Sequence, residues 1–253
     1  MPQLLSEPST PSNGTPIQTW ARWAGVLYLI IIAIGLFGEA GIRNTLIVPG
    51  DSVATAHNIL AAEFLWRVGV AGQYLLLLCA VGLTMAWYVL LRPVSRHLAL
   101  LLVFFALVSL AVESVSALHL QAVLTPLSGA AYLHTADPQQ AYAAAYLSVV
   151  AHAGAFGLAL VFFGVECLIA GYLIRRSGFF PAAVGWLMQL AGICYLLNSF
   201  AMVLFPPLHA MLFPAILVPS FIGESAFCLW LLIKGVDVPA WRQRAAADVS
   251  EAS

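Results

Sequence analysis

Residues 161–205 read VFFGVECLIAGYLIRRSGFFPAAVGWLMQLAGICYLLNSFAMVLF, two apolar runs separated by a short polar turn. Together with the apolar residues that precede Val161, each run reaches the about 20 residues that an α-helix needs to cross a bilayer. The turn carries Arg175, Arg176, Ser177 and Gly178. The stretch therefore predicts two antiparallel transmembrane helices joined at one membrane surface.

The composition of the whole chain agrees with this interpretation. Of its 253 residues, 62% are apolar and only 8% are charged, and the net charge is −1. A soluble domain carries about 25% charged residues. These values exclude a soluble globular enzyme, a disordered chain and a basic protein that binds nucleic acid. We expect an all-α integral membrane bundle.

The apolar runs predict about six spans within a transmembrane domain at 20–236. We place them at 22–44, 67–91, 97–122, within 138–174, 181–205 and 210–233. A short amphipathic segment at 52–66 precedes the second span, and Asp137 and Pro138 resemble the cap and first turn of the fourth helix. The fourth apolar segment is too long for one crossing, so we expect either an extramembrane extension or a kink near Gly154 and Gly157. The polar tails at 1–19 and 237–253 are expected to be disordered.

The basic residues orient the bundle. With six spans, eight of the ten fall on one side, and only Arg43 and Arg67 fall on the other. By the positive-inside rule, both termini are predicted in the cytoplasm, and the 45–56 and 123–137 loops outside it. The amphipathic segment is then extracytoplasmic, and the expected location is the bacterial inner membrane.

Two Glu/Arg pairs are predicted at the outer ends of the first two spans. Glu39 with Arg43 and Glu63 with Arg67 are each four residues apart, which places both members on one helix face. In each pair the two opposite charges can neutralise each other, and the pairs can hold the first two spans together. Alternatively, the arginine of a pair holds an anionic head group or a carboxylate.

Other costly polar groups lie inside the spans. Glu113, His119, His152 and Asn198 lie in the outer halves of their helices, and Glu224 lies near the middle of the last span. An ionisable group in the bilayer costs several kcal/mol unless it is paired or hydrated. Glu224 has no basic residue within a helical turn, so we expect it to be protonated, with Glu113 as a candidate neighbour sharing its proton. Pro219, five residues earlier, is expected to free a backbone carbonyl and kink the helix.

The sequence contains no familiar catalytic or cofactor motif. HExxH, GxSxG, GxGxxG and Walker sequences are absent, and no GxxxG stands out as a dimer face. A mixed carboxylate–imidazole metal site at Glu113, His119 and His152 is poorly favoured, because the first two are about 120° apart around their helix. We expect no metal and no cofactor.

Three blocks of sequence resemble the DUF4386 family of uncharacterised bacterial membrane proteins. They are residues 38–67 (GEAGIRNTLIVPGDSVATAHNILAAEFLWR), 161–200 and 223–236 (GESAFCLWLLIKGV). The resemblance covers about 21–236 and implies a compact multi-pass protein, without an activity. The positions that it marks as characteristic are Glu39, Arg43, Pro49, Gly50, Asp51, Glu63, Arg67 and Glu224.

Three functions remain open at this point. In the first, an outward-facing polar pocket binds or transports a small amphiphile or lipid. The residues that we expect to bind this ligand are Glu39, Arg43, Glu63, Arg67, His119 and Asn198. In the second, an intramembrane enzyme acts on a lipid or isoprenoid, with Glu113 or Glu224 as general acid and His152 or His119 as base, by analogy with membrane terpene cyclases. In the third, the chain is a non-catalytic subunit or sensor of a membrane complex, or a homo-oligomer.

Overall fold

The computed structural model describes residues 16–128 and 137–251, with side chains up to residue 247, and all regular elements in these ranges are helical. The helices are α1 (Ile17–Leu36), α2 (Asn44–Leu46), α3 (Ser52–Ala61), α4 (Glu63–Leu91), α5 (Arg96–Ala122), α6 (Leu124–Leu127), α7 (Pro138–Ser177), α8 (Ala182–Leu204), α9 (Pro206–Leu212), α10 (Val218–Ile233) and α11 (Val238–Glu251). A π-helical segment, Phe37–Arg43, joins α1 to α2, and a 3₁₀ turn, Ala215–Leu217, leads into α10.

Six helical stretches are long and apolar enough to cross a membrane. They are Ile17–Leu46, Glu63–Leu91, Arg96–Leu127, Pro138–Ser177, Ala182–Leu204 and Ala215–Ile233. Their outer surfaces are apolar, with Leu78 and Val203 more than 70% exposed. Such a surface suits a lipid environment and would be a liability in water. The predicted all-α membrane bundle of six spans is confirmed.

The six spans form a closed ring in chain order. α1 packs against α4, α4 against α5, α5 against α7, α7 against α8, α8 against α10, and α10 returns to α1. Short turns between α4 and α5 and between α7 and α8 make these neighbours antiparallel. The ring therefore has one interior, which side chains from every span can reach.

The fourth span is longer than the membrane is thick. α7 has 40 residues without interruption, about 60 Å at the rise of an α-helix, which is twice the hydrocarbon thickness. Of the two alternatives for this segment, the structure supports an extension beyond the membrane. The predicted start is confirmed, since the Asp137 side chain accepts a hydrogen bond from the Gln139 backbone N–H at 3.1 Å.

The amphipathic segment packs on this extension of α7. The Asp51 carboxylate caps α3 by accepting from the Ala54 backbone N–H at 2.8 Å. The Gly50 N–H donates to the Tyr146 hydroxyl at 2.6 Å, and the ring centroids of His57 and Tyr142 are 5.5 Å apart. The segment is shorter than predicted, because α3 ends at Ala61 and residues 63–66 already belong to the second span.

Glycines set the closest helix contact of the bundle. Gly157, Gly164 and Gly171 recur every seven residues on α7, and Gly185 and Gly192 do so on α8. A Cβ atom on Gly192 would lie 2.5 Å from the Gly164 carbonyl oxygen, and one on Gly171 would lie 2.5 Å from the Gly185 oxygen. The two backbones therefore approach as only glycine permits. A GxxxG motif does not describe this pattern, because the glycines are seven residues apart instead of four and the contact is within one chain.

The predicted kink in the last span is wrong. Pro219 lies in the first turn of α10, where a proline removes no helical hydrogen bond. The region that precedes it is also not one helix with α10, since Ala210 belongs to the separate helix α9. Glu224 therefore lies in an undistorted part of α10.

The start of α1 and the end of α10 lie at the same end of the bundle, which we term the basic end. Its basic residues are Arg22, Arg92, Arg96, Arg175, Arg176, Lys234, Arg242 and Arg244. The Gln18 amide group donates to the Lys234 carbonyl and accepts from the Val236 N–H, both at 3.0 Å. The Arg22 guanidinium donates to the Leu232 carbonyl at the end of α10. We refer to the opposite end as the distal end.

The C-terminal tail differs from the predicted disorder. It forms α11, in which the Trp241 indole N–H donates to the Leu90 carbonyl at 3.0 Å, and the Asp237 side chain accepts from the Ala240 N–H at 3.1 Å. The tail is polar and rich in alanine, so its composition indicated neither the cap at Asp237 nor the hydrogen bond of Trp241. At the other terminus, residues 1–15 of the predicted tail lie outside the described residues, as do residues 129–136 of the long loop, and Ile17 already belongs to α1.

Candidate functional site

Glu224 lies in the interior of the ring, held by two tyrosines from different helices. The Tyr28 hydroxyl of α1 donates to Oε2 at 3.1 Å, and the Tyr195 hydroxyl of α8 donates to Oε1. Glu224 is 9% exposed and Tyr28 is 2% exposed. No ion pair of Glu224 occurs in the described part of the chain. Its two oxygens are thus satisfied by neutral hydroxyl groups alone.

An aromatic layer closes the interior between Glu224 and the basic end. It consists of Trp87, Phe180 and Phe227, with ring centroids 5.3 Å apart for Trp87 and Phe227 and 5.5 Å apart for Phe180 and Phe227. Tyr28 contacts it edge-on, with its centroid 6.1 Å from that of Trp87. The Trp87 indole N–H is buried and has no hydrogen-bond partner in the described residues. The layer is otherwise apolar and would keep water and ions from passing.

Glu113 lies on the distal side of this arrangement and pairs with α4. Its Oε1 accepts a hydrogen bond from the Gln73 side-chain amide at 2.8 Å. The predicted proton shared directly with Glu224 is wrong, because each carboxyl has its own partners on other helices. The two groups are nevertheless close enough to interact electrostatically. α5 and α10 are separated in the ring by α7 and α8, which explains why the two carboxyls do not meet.

Glu166 is a third buried carboxyl, on α7. Arg175 and Arg176 follow it on the same helix, but neither forms an ion pair with it among the described residues. In the structure, the Arg175 guanidinium donates to the Gln189 amide oxygen at 2.7 Å, and Arg176 lies over the Tyr172 ring. Glu166 is instead buried within electrostatic range of the other two carboxyls. One acidic residue from each of α5, α7 and α10 therefore faces the same interior.

His152 joins α7 to α5 through a reciprocal set of hydrogen bonds with Ser116. The ring Nδ1 lies 3.1 Å from the Ser116 backbone carbonyl and 2.6 Å from its hydroxyl, and that hydroxyl donates to the His152 carbonyl at 3.1 Å. Two assignments fit these distances. Either Nδ1–H donates to the Ser116 carbonyl while the hydroxyl donates to the His152 carbonyl, or an unprotonated Nδ1 accepts from the hydroxyl. In both assignments the contacts join α5 to α7.

The Glu39/Arg43 pair is confirmed and lies at the distal end of the first span. The Arg43 Nε donates to Glu39 at 2.7 Å within the π-helical segment. π-Helical turns inside longer helices are frequent at functional sites. The Arg43 side chain is only 14% exposed and interacts electrostatically with both Glu113 and His152. This pair is thus continuous with the interior polar groups.

The Glu63/Arg67 pair is also confirmed, at 2.6 Å, but it lies elsewhere. Its side chains are 45% and 60% exposed, and the described contacts do not connect them to the interior groups. The prediction that both pairs line one pocket is therefore not met for Glu63 and Arg67. An exposed pair of this kind behaves as a surface ion pair.

The remaining candidates are His119 and Asn198. His119 is half-buried and within electrostatic range of His152, at the distal end of α5. Asn198 is 5% exposed, one turn beyond Tyr195 on α8, and its Oδ1 atom has no hydrogen-bond partner among the described residues. The same holds for the neighbouring Ser199 hydroxyl. A buried amide oxygen and a buried hydroxyl group without hydrogen bonds are each costly.

The described side chains include no group of three His, Cys, Asp or Glu residues arranged to hold a metal ion. The four cysteines, Cys79, Cys167, Cys194 and Cys228, are free and buried. The polar groups that the described interior presents are carboxyl, phenol, amide, hydroxyl and imidazole groups.

Sequence reasoning missed the hydroxyl partners of Glu224. Tyr28 and Tyr195 occur in apolar runs, where a tyrosine is usually a packing residue, and no local spacing links them to a glutamate 29 or more residues away. The available signal was the lack of a local basic partner for Glu224. It implied a partner on another helix without specifying which one.

Comparison with known proteins places the chain in a family. An uncharacterised protein of Archaeoglobus fulgidus is 27% identical over 185 residues, which cover 70% of this chain and 93% of that protein. No solved structure matches the chain. The family model described as a domain of unknown function, DUF4386, matches residues 23–235, which include five of the six spans completely and most of the first. The chain therefore belongs to the DUF4386 family.

Proposed function

We propose that this protein binds or transports a small amphiphile or lipid in the interior of its six-helix ring, with Glu224 as the protonatable group of the site. The observation that carries the proposal is the environment of Glu224, a buried carboxyl in a membrane-spanning helix that is hydrogen-bonded by two tyrosine hydroxyls and by no cation. Intramembrane ionisable groups are expensive and are generally retained for function.

The hydrogen bonds of Glu224 are compatible with a neutral carboxyl. A hydroxyl group both donates and accepts, so the protonated acid can donate to one tyrosine oxygen and accept from the other without a change of geometry. A lone charge at this depth costs about 2.5–3.5 kcal/mol on insertion scales. Protonation removes this cost, and it leaves Glu224 able to exchange a proton when a ligand enters.

The distribution of polar groups favours access from the distal end. Glu113, His152 and the Glu39/Arg43 pair lie on the distal side of Glu224, and the aromatic layer lies on the other side. Arg43, being mostly buried, offers a cation to an anionic group on the ligand. The unsatisfied oxygens of Asn198 and Ser199 offer further acceptors inside the ring.

The proposed orientation places the basic end in the cytoplasm. Eight of the ten basic residues lie at that end, which is the asymmetry that orients membrane proteins during insertion. Both termini are then cytoplasmic, and the site opens to the outside of the cytoplasmic membrane.

A comparison of co-purified molecules tests the proposal. Wild-type protein and Glu224→Gln are purified in the same detergent and extracted with organic solvent, and the extracts are compared by mass spectrometry. We expect one amphiphilic species to accompany the wild type and to be depleted with Glu224→Gln. Glu251→Gln, the same chemical change in α11, serves as the control and should retain the species.

Identical extracts from all three proteins would contradict the proposal. Conversion of the retained lipid into a new species on incubation would indicate that the same site is catalytic. Folding of each variant is checked by its melting temperature. We expect no change for Glu224→Gln, because Gln reproduces the shape and hydrogen bonding of the neutral acid.

A further inference from the structure

A cavity of about 330 Å³ lies at the basic end, on the far side of the aromatic layer from the site proposed above. It is formed where the start of α5, the end of α7 and α11 meet. Its lining residues are Val94, Ser95, Leu98, Tyr172, Arg176 and Arg244. Nothing in the proposed function uses this cavity.

Two arginines bring positive charge to the cavity. Both ion pairs formed by the described residues are at the distal end, so neither Arg176 nor Arg244 has an acidic partner there. Arg175, in contrast, donates to Gln189 and lies with its guanidinium carbon 3.3 Å from the Trp186 ring centroid. Arg176 and Arg244, which both line the cavity, therefore have no described carboxylate partner that would compete with an anion.

The rest of the lining combines two apolar residues, Val94 and Leu98, with Ser95 and Tyr172. Val94 and Leu98 are half-buried, and Tyr172 is 40% exposed beside the Arg176 guanidinium, which lies 5.7 Å from the tyrosine ring centroid. Two cations next to apolar side chains at the end of the spans suit an anionic head group attached to acyl chains.

α11 fixes the geometry of this site. The Trp241 indole hydrogen bond to the Leu90 carbonyl anchors the helix on the bundle, three residues before Arg244. Basic amphipathic helices with aromatic residues lie at the membrane interface, where their basic side chains meet the lipid head groups. The contact positions the backbone of α11, and the exposed Arg244 follows three residues later.

We infer that this cavity is a binding site for an anionic phospholipid, with the lipid phosphate between Arg176 and Arg244 and an acyl chain along Leu98. The site is independent of Glu224, because it lies at the opposite side of the aromatic layer. It gives the protein a preference for an anionic membrane leaflet beyond the general attraction of its basic end.

Native mass spectrometry of the full chain in detergent tests the site. The protein is titrated with dioleoyl-phosphatidylglycerol and, separately, with dioleoyl-phosphatidylcholine. We expect tighter binding of phosphatidylglycerol, and about 25-fold weaker binding by Arg176→Gln/Arg244→Gln, from about fivefold for each arginine at the membrane surface.

The matched control removes two other positive charges from the same end. Arg92→Gln/Arg96→Gln changes exposed residues that do not line the cavity, and it should bind phosphatidylglycerol within about twofold of the wild type. Equal weakening in both double variants would overturn the inference, since it would indicate a non-specific field. If Arg176→Gln/Arg244→Gln does not fold, Arg244→Gln alone should still weaken binding about fivefold, and no change would overturn the inference.

Two further outcomes also count against the inference. Full displacement of the lipid by millimolar inorganic phosphate would show that the site takes a free anion. Equal binding of phosphatidylcholine and phosphatidylglycerol would show that the net charge of the head group is not recognised.

Discussion

Gly192→Ala should destabilise the bundle sharply, because the α7–α8 contact is made by backbone atoms. The new Cβ would lie 2.5 Å from the Gly164 carbonyl oxygen and 3.1 Å from the Leu168 backbone nitrogen. Neither atom can turn aside as a flexible side chain can, so the two helices must separate. Overpacking of this kind costs about 1–3 kcal/mol, and the helix-propensity gain of alanine, about 1 kcal/mol, offsets only part of a cost at the upper end of that range.

The expected net loss of about 2 kcal/mol corresponds to a fall of about 4–8 °C in the melting temperature. The assay is thermal unfolding of the purified protein in one detergent, followed by tryptophan fluorescence. The control is Gly154→Ala on α7, where a new Cβ would meet no atom within 4 Å. This variant should unfold at or slightly above the wild-type melting temperature, because the helix propensity of alanine adds up to about 1 kcal/mol to the free energy of unfolding. Equal melting temperatures for the two variants would refute the argument that the close backbone approach limits this position.

Three further predictions concern the distal pair, the orientation and the C-terminal helix. A double-mutant cycle with Glu39→Gln and Arg43→Gln, measured by melting in detergent, should give a coupling energy of about 1 kcal/mol. This exceeds the about 0.3–0.5 kcal/mol expected for the exposed pair on α4, because Arg43 is mostly buried. Strict additivity would show that the two side chains do not interact. In intact cells, an impermeant thiol reagent should label Ser128→Cys and miss Gln243→Cys, against the low background of four buried native cysteines, whereas the reverse pattern would invert the proposed topology. Trp241→Phe should weaken the docking of α11 by about 1 kcal/mol, because one hydrogen bond is lost. The measurement is amide hydrogen exchange, which should become faster in residues 238–247. Unchanged exchange would mean that the indole does not anchor the helix.

The fold was predictable because the bilayer restricts the alternatives. Apolar runs of about 20 residues can only be membrane helices, and turns such as that at Ser177 and Gly178 leave neighbouring helices antiparallel. The local pairs were predictable for a similar reason, since residues four apart on a helix must be neighbours. The cap at Asp137 also follows from local chemistry. Each of these features depends on spacing along the chain.

Most of the site depends on which helices meet, and hydropathy does not reveal that. The ring order brings Tyr28 and Tyr195 to Glu224 and keeps Glu113 at a distance. Glu166 is buried although two arginines follow it on the same helix, because the sequence alone does not show which face of α7 is turned inward. For Glu63, burial could not be judged from the sequence, because a helix end can face either the interior or the solvent.

Infrared difference spectroscopy on Glu224→Gln tests the central claim most directly. The spectrum of wild-type protein minus that of the variant is recorded at neutral pH, together with both melting temperatures. If Glu224 is the neutral carboxyl of the site, the wild type shows the carbonyl stretch of a protonated acid that the variant lacks, and the two proteins unfold at the same temperature. A lost carboxylate band instead, together with a clearly lower melting temperature for the variant, would show that Glu224 is an ionised structural partner and would contradict the proposed site.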